Sequence, residues 1–428
     1  MPHSERLLPL LPFVQHQSRF CLGRITQAQH SLSQVFFALA IAALPATMSW
    51  AGVFVTNLVT DDQGVNAAAI TDPNLKNPWG VSYSPTSPFW VSDNASGTAT
   101  LYRVDPGTNV PTTVPLVVTI PGDGSVNGQA FNSTTGFNRD LFLFVSEDGT
   151  VSGWRGTLGT SAETLAVASG NNVYKGTTLA TIGGDAYLYS ANFRAGTIDV
   201  VKGNVGAPNL TGSFTDPGIP AGFAPFNVQD LGGKLYVSYA RQDGAKHDDV
   251  PGAGNGIVSS FDLNGNFLGR VATGGPLNSP WGMAIAPASF GPIGGDLLIG
   301  NFGDGRINAF NPITFFNDGP ILDSRGNPVA IDGLWALIPG NGGMAGSSNS
   351  IYFSAGSNGE ADGLFGSLTP TPEPSTFALA AFAFIGLAAW GWRRHVGARV
   401  KKEVSLSFVR CFIQRCLPPV VVDYIGTD

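Results

Sequence analysis

The stretch that reads as a folded domain, residues 52–370, contains no cysteine; the three in the chain are Cys21, Cys411 and Cys416. A disulfide framework, a thiolate metal site and a cysteine nucleophile are therefore excluded there. Stability must come from packing, for which this length provides a sizeable core. Histidine is nearly as scarce. His247 is the only one in the domain, so a histidine metal cluster is excluded by count. A Ser-His-Asp triad would have to use His247, and no Gly-x-Ser-x-Gly elbow leads to it. The glycine-rich turns end in strands rather than opening helices, which excludes a phosphate cradle. Positive charge is short: 13 Lys and Arg stand against 25 Asp and Glu between residues 52 and 370, a net of −12. A domain this acidic is soluble and repels nucleic acid and anionic headgroups.

Long apolar runs are missing too. A membrane span needs about 20 residues, and neither apolar run of the chain is that long. Val35 to Ala46 is about a dozen residues, preceded by Arg6, Arg19 and Arg24 against Glu5, and followed by Ser49-Trp50-Ala51. This is the pattern of a secretory signal peptide, predicted over residues 1–51 with cleavage after Ala51 and an unusually long basic leader. At the other end a linker, residues 370–376, carries Pro372, Glu373 and Pro374. An uncharged run, residues 377–392, follows, and Arg393 and Arg394 open a basic tail over residues 393–428. As a helix the run measures about 24 Å, so it spans a bilayer only with its Trp and Arg flanks at the interface. The arginines keep its C-terminal end cytoplasmic, which places the domain outside, in agreement with the signal peptide.

Pro-Glu-Pro, a short apolar helix and a basic cluster, in that order from Thr371 to His395, resemble the PEP-CTERM sorting signal of Gram-negative bacteria. The resemblance implies processing by an exosortase, a membrane protease, and an exported protein of the cell surface or envelope, held by the C-terminal helix until it is processed. One departure stands out. That signal normally stops soon after the basic cluster, and here 33 residues follow His395.

What fills the domain is a repeat. Asn77-Pro-Trp-Gly80 recurs as Ser279-Pro-Trp-Gly282, and looser matches occur at Asn127-Gly-Gln129, Gly176-Thr-Thr178, Pro225-Phe-Asn227 and Gly333-Leu-Trp335. Anchors at 79, 128, 178, 226, 281 and 335 are 49, 50, 48, 55 and 54 residues apart. Each is followed by an aromatic or β-branched run, and most of those runs lead through a polar Gly-containing turn into another strand. Strand, strand, turn, strand at this period is a propeller blade. The fold class is all-β, a six-bladed β-propeller over residues 52–369, with Phe54 to Val59 predicted to close the ring beside Gly363 to Ser367. The units resemble NHL-type blades at Val91-Ser-Asp93 and Asn301 to Arg306. The wider run, from Glu147-Asp-Gly149 through Ala224 to Asn227 to Gly363-Leu-Phe-Gly366, resembles a bacterial family of exported propellers, a resemblance that implies a fold but no activity.

In such a ring the start of each inner strand and the end of each second strand meet at one mouth of the central channel. The polar residues falling there are the candidate ligand-binding set: Asn77, Glu147, Asn192, Asn227, Arg241, Asn278, Asn301 and Asp304. Their oxygens suit a hard cation or a sugar, with Trp79 and Trp281 as stacking walls or as blade core. Asn and Asp at turns also bond their own backbone. No cofactor is predicted, with calcium the one candidate. An insertion, Arg241 to Gly256, carries His247, Asp248 and Asp249, read as a solvated acidic loop in preference to a metal site. Three functions remain open: a surface or matrix protein binding a polysaccharide or protein partner; a metal-dependent hydrolase or lyase resembling lactonase-type propellers; and a structural coat component without ligand.

Overall fold

The computed structural model describes residues 52–168, 172–371, 385–387 and 389–394. The predicted signal peptide, the Pro-Glu-Pro motif and the tail beyond Arg394 lie outside the described residues.

Among the described residues six sheets follow one another along the chain, antiparallel but for the short parallel pairing of Ile70–Thr71 with Val53–Thr60. Their inner strands are Pro78–Ser82, Val126–Phe131, Tyr174–Ile182, Phe223–Asp230, Pro280–Ile285 and Leu334–Pro339, and each contains one predicted anchor. We number the blades 1 to 6 in that order. Blades 2, 4 and 5 have four strands each. Blade 6 is completed from the other end of the chain: Val53–Thr60 pairs antiparallel with Leu364–Pro370, bringing Val53 opposite Pro370 and Thr56 opposite Ser367. The expected ring closure is thus present. Thr371 tightens it, since both its backbone N–H and its hydroxyl donate to the Gly52 carbonyl at 2.9 and 2.8 Å.

Blade 3 departs from the four-stranded expectation. Among the described residues it has three strands, ending with Thr197–Lys202. The chain beyond crosses to blade 4 instead, where Gly212 and Phe214 donate to the carbonyls of Asn264 and Gly265 and Phe214 enters the core between the blades. Pro208, Pro217 and Pro220 lie in this crossing; they lack the backbone donors a fourth strand needs.

All six inner strands shift register near the anchor, between residues 78/81, 126/129, 174/177, 225/227, 280/282 and 334/337. A bulge re-aims the side chains it carries. Here the first residue inside each bulge is Trp79, Asn127, Lys175, Phe226, Trp281 or Trp335. Tight approach of neighbouring blades requires small residues beside them. A Cβ on Gly80 would sit 2.4 Å from the Asn127 carbonyl, and one on Gly176 1.7 Å from Asn227 Oδ1.

Of the apolar run near the C-terminus, residues 385–387 and 389–392 are helical, and the helix continues through Arg394, with Ile385, Leu387, Trp390 and Trp392 exposed and Arg394 over the Trp390 ring. Among the described residues no helix is long and apolar enough to cross a membrane.

Candidate functional site

The six bulge residues decide what the channel holds. Four are aromatic and plug it. Trp335 is stacked between Trp79 and Phe302, at 3.5 and 4.0 Å between centroids. Trp281 meets Trp335 and Trp79 edge-on at 5.8 and 6.2 Å, and Phe226 completes the cluster. Trp79 and Trp281 are 4% and 2% exposed. Of the two readings for these rings, blade core is the one observed; neither is a wall open to a sugar.

The fifth position is Asn127, a link in a belt of amides. Asn77 accepts from Trp335 Nε1 at 3.2 Å and donates to Glu360 at 2.8 Å and to Asn94 at 3.2 Å. Asn94 donates to Asn127 at 2.7 Å, and Asn127 to the Tyr174 carbonyl at 3.0 Å. Blades 6, 1, 2 and 3 are thereby tied at the mouth.

The sixth position is Lys175. Its side chain is 2% exposed, and its ammonium lies 5.1 Å from the Trp79 ring centroid. It is ion-paired with Glu147 of blade 2 and, at 3.3 Å, with Asp248 of the blade 4 insertion. His247 approaches the same carboxylates, 2.9 Å from Asp248 and 3.9 Å from Glu147. The insertion is therefore no free loop. It folds over the mouth, anchored by Gly252 N–H donating to Asn278 Oδ1 at 2.6 Å and by Gln242 donating to the Phe193 carbonyl.

Burial raises the Asp249 carboxyl above its ordinary range. Burial also raises Glu360, against the opposing pull of Asn77 and Lys175. Asp248 moves the other way: burial would raise it, but Lys175 and His247 together bring it below its ordinary value. Glu147, His247 and Asp248 offer three ligand atoms within 4.8 Å of one another, and the Lys175 ammonium stands between two of these residues.

The remaining sequence candidates sort by what they touch. Asn192 donates to Asn172 and Asp199 at 2.6 and 2.8 Å and accepts from its own turn. Asn227 donates to the Trp281 carbonyl at 2.7 Å and lines a 60 Å³ cavity of the channel with Gln129 and Thr177. Asn301 donates to the Pro276 carbonyl and to Asp304, at 2.8 and 3.0 Å. Arg241 and Asp304 are exposed on the rim. The structure thus gathers Glu147 with the insertion, and disperses the amides into turns and the belt. The sequence pattern does not single out Lys175, because the third anchor falls on Thr178. The Gly that follows each of Trp79, Asn127 and Trp281 also follows Lys175, and that register would have found it.

Residues 370–394 match the PEP-CTERM protein-sorting motif, which directs exported proteins to the cell envelope and implies an exosortase-type processing system. Two uncharacterized proteins of Acanthamoeba polyphaga mimivirus are similar to the chain. One is 35% identical over 320 residues, 71% of this chain and 77% of its own. The other is 33% identical over 320 residues, 70% of this chain and 82% of its own. Among solved structures, virginiamycin B lyase from Staphylococcus aureus is similar at 13% identity and a TM-score of 0.38, over 74% of this chain and 98% of that one. An α-L-arabinanase of Penicillium chrysogenum is similar at 12% and 0.43, over the same shares. At these values neither enzyme bears on activity or ligand.

Proposed function

The chain belongs to the same family as these two mimivirus proteins and carries a PEP-CTERM motif, and on that premise we propose that it is an exported surface propeller that binds a polysaccharide at its channel mouth. The observation that carries this reading is Lys175. Its ammonium fills the space among the mouth carboxylates as a built-in counter-ion, above a channel closed by tryptophan. A lactonase-like centre needs those oxygens gathered around a divalent cation at roughly 2.3–2.6 Å. Here Glu147 and Asp248 face an ammonium, while Asn77, Asn192 and Asn301 bond to protein groups. What the mouth presents to solvent is a hydrogen-bonding rim, with Arg241, Asp304 and Asp248 exposed and His247 partly so. Such groups recognise hydroxyl-rich chains, whose neutral sugars the acidic surface does not repel.

The test is glycan-array binding by the purified domain, residues 52–371, with metal analysis of the same sample. Saturable binding to a polysaccharide, weakened at least tenfold in Asp248→Ala with Arg241→Ala, is the expected result. A stoichiometric divalent metal with no glycan bound would overturn it in favour of the hydrolase reading.

A further inference from the structure

The two faces of the ring differ in kind, and we infer that the face opposite the mouth rests on a lipid bilayer. This rests on the reading that the sorting segment holds the domain at the envelope membrane. The far face is built from the turns joining first to second strands and third to outer strands. Every blade puts an exposed apolar side chain there. Val110 of blade 1 is 57% exposed, Leu141 of blade 2 43%, Val205 of blade 3 97%, Leu268 of blade 4 52%, Ile313 of blade 5 85% and Phe54 of blade 6 49%. On the mouth side, among the described propeller residues, only Val65 and Val167 are comparable. Scattered apolar residues need no explanation, but a set gathered on one face marks an interaction surface. A groove of 520 Å³ between blades 1 and 2, lined by Trp90, Leu116, Phe131, Leu141 and Trp154, adds to the same face beside the turn Ser84 to Pro88.

The occupant follows from where the chain leaves. The last strand ends at Pro370 on this face, and the matched sorting segment begins there. Its apolar run starts six residues past Thr371, at most about 22 Å of extended chain. A segment that enters a membrane so close to the domain brings this face, and not the mouth, against the bilayer. Charge does not separate the faces: Glu147, Asp148, Asp243, Asp248, Asp304 and Glu360 belong to the mouth, and Asp105, Asp185, Asp262 and Asp318 lie at the turns of the far face, so what distinguishes the far face is its apolar side chains. The polysaccharide-binding mouth then faces outward.

The test uses the full chain with Cys21, Cys411 and Cys416 changed to serine, labelled with an environment-sensitive fluorophore at Val205→Cys, Ile313→Cys or, on the mouth, Asp248→Cys. Vesicles of phosphatidylethanolamine with a minority of phosphatidylglycerol carry nitroxide lipids. Expected are co-flotation, a blue shift and quenching at 205 and 313, and neither effect at 248. Flotation with no more quenching at 205 and 313 than at 248 overturns the inference and leaves the anchoring reading intact. No flotation removes both. A blue shift at 205 and 313 without vesicles, with a dimer by light scattering, assigns the face to a second copy and overturns the inference. In a second measurement, Val205→Asp with Ile313→Asp and Phe316→Asp, the last 67% exposed in the same blade 5 turn as Ile313, lowers flotation of the domain, residues 52–371, about tenfold. This domain contains every strand of the closed ring. Unchanged flotation contradicts the inference.

Discussion

Lys175 occupies one of six equivalent bulges, four of which hold aromatic rings, and its charge changes the energetics of the channel. Desolvating an ammonium costs several kcal/mol unless it is paired. Here Glu147, Asp248 and the Trp79 face supply the compensation. Removing one partner leaves the other charge buried, so Glu147→Gln is expected to destabilise the domain by about 3–5 kcal/mol. Lys175→Met combined with Glu147→Gln is expected to recover part of that loss, because no uncompensated charge remains. Urea unfolding of Glu147→Gln, Lys175→Met and the double variant checks this; a double variant as unstable as the sum of the singles would show that the pair does not interact. A second residue-scale prediction concerns Asp93, buried in blade 1 with Thr98 and Thr100 donating to it. Burial, the largest cause, raises its carboxyl well above the ordinary range. The native state therefore binds this proton more tightly than the unfolded chain does. The stability Asp93 contributes is present below the unfolded value near 3.9 and is lost as pH rises through the raised one. Asp93→Asn should remove that part of the decline. Melting temperatures from pH 4 upward test it, and an unchanged slope would assign the decline to the other carboxyls that burial raises, Glu360, Asp249, Asp140, Asp230 and Asp296 among them.

At the scale of the element, the inner strand is the unit that makes the site, because its bulge selects which side chain enters the channel. The glycine next to that side chain lets the next blade approach. Gly176→Ala would press a methyl into Asn227 Oδ1, whose amide is held by the Trp281 carbonyl. Such overpacking is expected to cost about 1–3 kcal/mol, read as a lowered melting temperature; a variant as stable as the parent would mean the blades separate without penalty. The same element explains what the sequence could and could not reveal. Trp79-Gly80 and Trp281-Gly282 share enough chemistry to expose the period, so blade number and ring closure were legible. The mouth was less so, since a bulge shifts register by one residue and leaves no compositional mark. In sequence the third anchor falls on Thr178, three residues past Lys175. Likewise, nothing local to Arg241 to Gly256 says that this loop reaches Glu147 of blade 2. That contact spans about a hundred residues and exists only once the ring curves.

At the scale of the whole molecule, the ring is closed by its first and last strands. Val53, Leu58 and Val59 of the closing strand are 3%, 1% and 0% exposed. At about 1.5–3 kcal/mol per buried side chain, they contribute roughly 5–9 kcal/mol, comparable with the 5–15 kcal/mol that separates most native domains from unfolding. Blade 6 without that strand would also present the backbone of Leu364–Pro370 as an open edge, a template for aggregation. A chain beginning at Asp61 is therefore expected to lose its cooperative melt and to elute as aggregates, whereas the domain beginning at Gly52 melts cooperatively as a monomer. Adding a synthetic peptide of residues 52–60 during refolding should restore part of the cooperative fraction, because the missing strand pairs through register, not covalent continuity. Circular dichroism melts with size-exclusion chromatography decide it. A truncated chain that melts within a few degrees of the intact one would mean that five blades and three strands hold the ring unaided, and that closure serves the junction at Gly52 and Thr371 more than the core.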